Sequence, residues 1–165
     1  MVFAKHPHIS DEERKSVSEY IAAIRSLLDD ERAVASRFQS ILSQSRDRPS
    51  GQMNRSWILP AANYFHKHSR ELAQRFWALQ APASADGIRS SWGKYFSALV
   101  ACAATARPAF VSIAEGAPYE DWMAEEYEFS KLRRVYERAC KDALRTTTEL
   151  ASRLAIQLDE IAASD

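Results

Sequence analysis

Four ionisable side chains fall on helix faces that should be apolar, and they are the residues best placed to do chemistry. They are Glu31, His68, Glu126 and Arg133. The clearest case is His68, which shares one face of a predicted helix with Phe65 and Leu72, because residues three and four apart are neighbours on a helix. An isolated charge inside a core costs several kcal/mol or is neutralised through a shifted pKa, so each of these groups needs a partner.

Depth along the predicted helices suggests how these groups pair. At a rise of about 1.5 Å per residue, His68 and Glu126 lie at similar depths below the starts of their helices. Glu31 lies deeper, near the level of Arg133 and Arg75. We therefore expect one polar layer of His68 with Glu126 and another of Glu31 with Arg133 or Arg75. A structural ion pair or a partly exposed helix edge is the favoured explanation of these residues, and an interior site for a small ligand or metal is the alternative.

Motifs for metal binding or catalysis are missing from the sequence. The run HKH at 66–68 points its two imidazoles to different helix faces, and no Glu-x-x-His motif of the di-iron bundles occurs. Cys102 and Cys140 lie inside helical patterns and are interpreted as small buried hydrophobes. No nucleophile motif, phosphate loop or zinc signature accompanies His68. We expect no catalytic residue, no bound metal and no cofactor, and an enzyme is the least favoured reading.

The first half of the chain predicts two helices. Ser10 has an acid at Glu13, the spacing of a capping box, and an apolar stripe then predicts helix 1 from about residue 11 to 45. The run 46–56 contains proline and glycine and is predicted to be a loop. Proline suits the first turn of a helix, so helix 2 is predicted to begin near Pro60.

The second half predicts two more helices after a turn at 80–87. Pro108 removes an amide donor from helix 3 and should kink or break it. Helix 4 is predicted to begin near Tyr119 and to extend as far as Ala163. The alternative is a bend or break at 145–148, where three threonines weaken the helix.

These elements predict an all-α fold, an up-down-up-down antiparallel four-helix bundle with long first and last helices. Residues 10–165 form one domain behind an N-terminal arm at 1–9. Short connections favour antiparallel neighbours. The long helices should overhang, and an overhanging apolar stripe needs cover, which suggests a homodimer.

Composition limits the partners. The chain has 165 residues, of which 46% are hydrophobic and 27% charged, and its net charge is zero. A nucleic-acid binder neutralises phosphates with basic side chains, so this balance argues against one. The sequence contains no signal-peptide pattern and no apolar run of the roughly 20 residues that span a bilayer. We expect a cytoplasmic protein that does not enter a membrane.

Two surface features could bind a protein. A basic stripe on helix 4 could meet an acidic partner or phosphate, although a solvated face of ion pairs fits the same pattern; it consists of Arg134, Arg138, Lys141 and Arg145. Trp57 and Trp77 could anchor a partner, although packing under the long loop would also explain them. The leading hypothesis is a non-enzymatic protein that acts through protein–protein contact. The alternative is a bundle that binds a small ligand around His68, Glu126 and Glu31.

Overall fold

The protein is a four-helix bundle. The computed structural model describes residues 9–46, 55–115, 119–156 and 158, and within them the side chains at 9–40, 58–108, 110–111, 115, 127–156 and 158. The helices are α1 (Asp11–Arg46), α2 (Arg55–Ala78), α3 (Asp86–Glu115) and α4 (Tyr119–Arg153). The described residues contain no strand. The predicted fold class and the two long terminal helices are therefore confirmed, whereas the N-terminal arm, apart from Ile9, lies outside the described residues.

The start of α1 follows the sequence signal. The backbone N–H of Glu13 donates to the Ser10 hydroxyl at 3.1 Å, so Ser10 is the N-cap. The Glu13 carboxylate does not complete a capping box. It accepts hydrogen bonds from the backbone N–H and the hydroxyl of Ser84, in a short 3₁₀ turn at Ala83–Ala85 before α3. This contact fastens the start of α1 to the α2–α3 connection.

The predicted start of α2 was wrong. The helix begins at Arg55, so Pro60 lies inside it rather than in its first turn. Pro60 is exposed, which lets water satisfy the carbonyl that loses its amide partner. Solvent exposure also explains why α3 is not broken at Pro108. The helix continues past this residue to Glu115, and Pro108 lies on its exposed face.

The threonines of α4 do not interrupt it. The hydroxyls of Thr146, Thr147 and Thr148 each donate to the carbonyl four residues earlier, at 2.8–2.9 Å, so the helix absorbs their polar groups. The helix ends at Arg153, well before the predicted limit of Ala163. The chain turns there because Ala155 adopts a left-handed conformation with φ 53°. The Ile156 N–H then donates to the Ala151 carbonyl at 2.9 Å, a bond typical of a helix C-cap.

The core is filled by the inner faces of the helices, with three aromatic rings of α3 at its centre: Trp92, Tyr95 and Phe96. Consecutive helices pack together: α1 on α2, α2 on α3 and α3 on α4. The remaining pair is different, because the described parts of α1 and α4 have almost no close backbone approach. The backbones of the first and last helices therefore lie further apart, in their described parts, than those of consecutive helices. No helix in the described part of the chain is both long and apolar enough to cross a bilayer.

Candidate functional site

His68 does not lie in the bundle interior. The buried face of α2 is centred on Phe65, Ser69 and Leu72, and His68 lies at its edge with a third of its side chain exposed (33%). Its Nδ1 is 2.9 Å from Oε2 of Glu71 on the same helix. The expected interior position of His68 was therefore wrong. The side chain of its expected partner, Glu126, lies outside the described residues.

The expected ion pairs of Glu31 are replaced by others. Arg75 instead pairs with Asp30, the neighbour of Glu31, through an Nη2–Oδ2 distance of 2.7 Å between α2 and α1. Arg133 is exposed and pairs with Glu137 one turn along α4, at 3.0 Å. Among the described residues Glu31 forms no ion pair, so the predicted pairing with Arg133 or Arg75 was wrong.

Glu31 instead lies near enough to the hydroxyl of Tyr95 on α3 for that hydroxyl to oppose the rise in the pKa of its carboxyl. The Tyr95 side chain is only 2% exposed. Tyr136 on α4 packs beside it, with ring centroids 5.7 Å apart and an interplanar angle of 47°. Cys140, one turn further along α4, is half-buried. We call these four side chains, Glu31, Tyr95, Tyr136 and Cys140, the α1–α4 seam.

Burial dominates the protonation chemistry of the seam. It raises the pKa of the Glu31 carboxyl, against the smaller opposing effects of the Tyr95 hydrogen bond and the nearby Arg32 guanidinium. It raises the pKa of Tyr136 to about 12, with the Glu31 charge adding to the shift. Burial and the same charge also raise the pKa of Tyr95 and of Cys140. The phenols and the thiol are therefore neutral near pH 7, and Cys140 is not an activated nucleophile.

One feature of the sequence could have identified this cluster, although the spacing of apolar residues does not reveal it. Glu31 was recognised as an acid on an apolar stripe, whereas Tyr95 and Tyr136 were assigned to the core as aromatics. A tyrosine on an inner face carries a hydroxyl that needs a partner, so a buried acid and a buried tyrosine could have been matched. The wider backbone spacing of α1 and α4 has no counterpart in the sequence pattern.

The basic stripe lies where it was predicted, on the exposed side of α4. Arg145 forms ion pairs with Asp142 at 3.7 Å and Glu149 at 3.3 Å. The other three cations form no ion pair with any described residue: Arg134, Arg138 and Lys141. The stripe is thus partly a solvated face of ion pairs and partly a row of uncompensated positive charges.

Two large apolar side chains border this stripe. Tyr127 is 69% exposed and Val135 is 45% exposed, and only one other large apolar residue in the described part of the chain is comparably exposed. Spacings of three, four and seven residues place these side chains on one broad face. We call this surface the outer face of α4; it comprises Tyr127, Glu128, Lys131, Arg134, Val135, Arg138, Lys141 and Arg145.

The third exposed apolar residue is Trp77, at 48%. Its ring lies against Gly93 of α3, where a Cβ atom would come within 2.6 Å of the indole. The guanidinium of Arg89 lies over the same ring, 5.9 Å from its centroid. Trp77 is therefore partly occupied by contacts within the chain, and the side chain of Trp57 lies outside the described residues.

An open cleft of about 280 Å³ lies between the start of α1 and the end of α2. One wall of the cleft is Tyr20, whose buried hydroxyl has no hydrogen-bond partner among the described residues.

Within the described part of the chain, no cluster of three His, Cys, Asp or Glu side chains could hold a metal ion. Comparison with protein-family models, curated proteins and solved structures finds no match to this chain.

Proposed function

We propose that this chain is a non-enzymatic helical-bundle protein that acts through protein–protein contact, and that its partner is a second copy of itself. The supporting observation is the pair of exposed apolar side chains, Tyr127 and Val135, on the outer face of α4. Monomeric proteins seldom group large apolar side chains on one exposed face, whereas interfaces use aromatic anchors of this kind. A cytoplasmic location stays a prediction.

The outer face is self-complementary in an antiparallel arrangement. Tyr127 lies four residues before Lys131, and Val135 lies four residues after it. Glu128 and Arg134 lie three residues before and after Lys131. A two-fold axis at Lys131 therefore sets Tyr127 against the second copy's Val135, and Glu128 against its Arg134. Each contact then occurs twice, as a two-fold interface requires.

The charges of α4 favour the same arrangement. Acidic residues are concentrated before Lys131, and basic residues follow it, so antiparallel copies bring unlike charges together. The two Lys131 ammonium groups would lie beside the axis. Each has the Glu128 carboxylate of its own chain 3.7 Å away, which offsets their repulsion. The net charge of zero leaves no long-range barrier between copies.

Sedimentation at two protein concentrations tests the proposal. The wild-type chain should sediment as a dimer at the higher concentration. Glu128→Arg should weaken the dimer by setting two arginines against each other, and Arg134→Glu should do so by setting two acids together. The double exchange Glu128→Arg/Arg134→Glu restores unlike charges and should restore the dimer.

A variant on another surface distinguishes this specific interface from nonspecific association. Trp77→Gln removes the third large exposed apolar side chain of the described residues and should leave dimerisation unchanged. Helical circular dichroism should match the wild type in every variant, and thermal unfolding should match it in the variants of Glu128 and Arg134, since both residues are exposed. A monomer at all concentrations would overturn self-association, as would a double exchange that stays as weak as the single variants.

The alternative function, an interior ligand or metal site around His68, Glu126 and Glu31, loses one of its three supports. His68 lies at the edge of the buried face of α2, and its Nδ1 is 2.9 Å from Oε2 of Glu71. Glu31 retains an unusual environment, because its carboxylate is half-buried beside neutral groups. Any ligand site should therefore be sought around Glu31.

A further inference from the structure

The first part of α4 is covered less than the rest of the helix. None of the residues 127–142 is buried, although apolar side chains recur along them. The burial changes at Ala143. From there onward a buried side chain occurs every three or four residues: Ala143, Thr147, Ala151 and Leu154. We call residues 127–142 the first segment of α4.

The first segment is covered on one side. In the described part of the chain, α3 is the helix that packs closely on α4, whereas α1 has almost no close backbone approach to it. The ring of Tyr136 lies against Tyr95 of α3, and Cys140 also packs against the core, yet Tyr136 and Cys140 stay half-buried. The side away from α3 carries Tyr127 and Val135, which are exposed.

Interactions within the helix compensate little for this missing cover. Lys131 pairs with Glu128 at 3.7 Å and Arg133 with Glu137 at 3.0 Å, but all four side chains are exposed, and exposed pairs contribute little to stability. Most helical stability in proteins comes from the packing of an apolar face, so a short helix without a buried face is marginal in water. Stretches with few buried contacts open at low cost while the rest of a fold stays intact.

We propose that the first segment of α4 is a conditional helix, which opens locally in the single chain and is closed by the second copy. The inference rests on the proposed function, because the outer face of α4 is the surface that the second copy covers. Pairing places Tyr127 and Val135 inside an interface and so supplies the apolar cover that the single chain lacks. Ordering of the segment and self-association are then one coupled equilibrium, in which each favours the other.

Hydrogen–deuterium exchange with mass spectrometry, at concentrations well below and well above the dimerisation midpoint found by sedimentation, tests this coupling. In the single chain, amides of residues 130–142 should exchange at least about tenfold faster than those of residues 143–150. In the dimer, exchange in residues 130–142 should slow by about tenfold or more. Glu128→Arg, which should stay a single chain, is the matched control and should show no dependence on concentration.

The outcomes separate the two proposals. A dimer in sedimentation whose residues 130–142 exchange as fast as in the single chain would refute the conditional helix and leave self-association intact. Equal exchange of residues 130–142 and 143–150 in the single chain would refute it in the same way. A chain that never dimerises would overturn both.

Thr147→Val distinguishes local opening from unfolding of the whole chain. The substitution removes the Oγ1 acceptor of the Trp92 indole and so weakens the fold outside the first segment. In the single chain it should speed exchange in residues 143–150 by at least about fivefold and leave residues 130–142 within about twofold. Thr148→Val, whose hydroxyl is exposed, should change neither. Equal acceleration of both stretches by Thr147→Val would show that the segment opens only with the whole fold, which would refute the proposal.

Discussion

The indole Nε1 of Trp92 donates a hydrogen bond to Oγ1 of Thr147 at 2.9 Å, across the interface of α3 and α4. Both side chains are fully buried, and Thr147 also donates to the Ala143 carbonyl at 2.8 Å. The hydroxyl is thus used as donor and acceptor at once. It fixes the register of α4 against the aromatic centre of the core.

Thr147→Val should therefore destabilise the fold. The substitution keeps the shape and leaves the buried indole N–H without an acceptor, at a cost of about 1–3 kcal/mol. Thr148→Val is the matched control, since its hydroxyl is exposed and bonded only to the helix backbone, and it should stay within about 0.5 kcal/mol. Urea unfolding measures both. Equal effects in the two variants would contradict a structural role for the Trp92–Thr147 bond.

Two buried tyrosines should respond in opposite ways to the loss of their hydroxyls. Tyr20→Phe removes a hydroxyl that has no partner among the described residues and should be neutral or stabilising by up to about 1 kcal/mol. Tyr95→Phe removes the hydroxyl that acts on the Glu31 carboxyl and should be destabilising, by about 1 kcal/mol or more. Thermal and urea unfolding of the pair provide the comparison. If Tyr20→Phe proved the more damaging change, its hydroxyl would have a partner after all.

Ala155→Gly should stabilise the end of α4. Ala155 has φ 53°, a left-handed conformation that costs an L-residue about 1–2 kcal/mol and that glycine adopts freely. The greater freedom of glycine in the unfolded chain offsets part of this, so a net gain of about 0.5–1 kcal/mol is expected. Ala151→Gly, inside the helix and buried, should instead be destabilising. A loss of stability in Ala155→Gly would contradict the C-cap at this position.

The stability of the fold should depend on pH through Glu31. Its pKa in the folded state is raised above the ordinary value of 4.5, mainly by burial, so the folded state holds this proton more tightly than the unfolded state. The stabilisation is therefore fully present below pH 4.5 and is lost as pH rises through the raised pKa. Glu31→Gln cannot lose a proton, so it should gain stability relative to the wild type as the pH rises to neutral.

Urea unfolding at a series of pH values measures this difference. The groups that face Glu31 from other helices do not titrate in the same range, because burial raises the pKa values of Tyr95, Tyr136 and Cys140. A difference between the glutamine variant and the wild type that stays constant with pH would show that Glu31 has an ordinary pKa.

Periodicity predicted the helices well because each apolar stripe is a local property of its own segment. The start of α1 was visible in Ser10, and the threonines of α4 were recognised as the main risk to its continuity. The end of α4 was missed because an alanine in the left-handed conformation carries no sequence signal, as a glycine there would. The start of α2 was missed because an exposed Pro60 is tolerated inside a helix.

The site was harder to predict, because it depends on how each helix is rotated about its own axis. His68 and Glu31 both fit an apolar stripe, yet each is only half-buried. Stripe spacing does not distinguish these positions. The spacing between α1 and α4 is a property of the assembled bundle, which the pattern of a single helix does not contain.

The most direct test of self-association through α4 is disulfide crosslinking. In a Cys102→Ala/Cys140→Ala background, Lys131→Cys places a thiol at the proposed two-fold axis. Glu149→Cys places one on the same side of α4, five helical turns away, so that in an antiparallel dimer the two copies of this residue lie roughly 50 Å apart. Mild oxidation should crosslink the Lys131→Cys variant into dimers and leave the Glu149→Cys variant monomeric on a denaturing gel. Equal crosslinking at both positions, or none at Lys131→Cys, would contradict the antiparallel α4 interface.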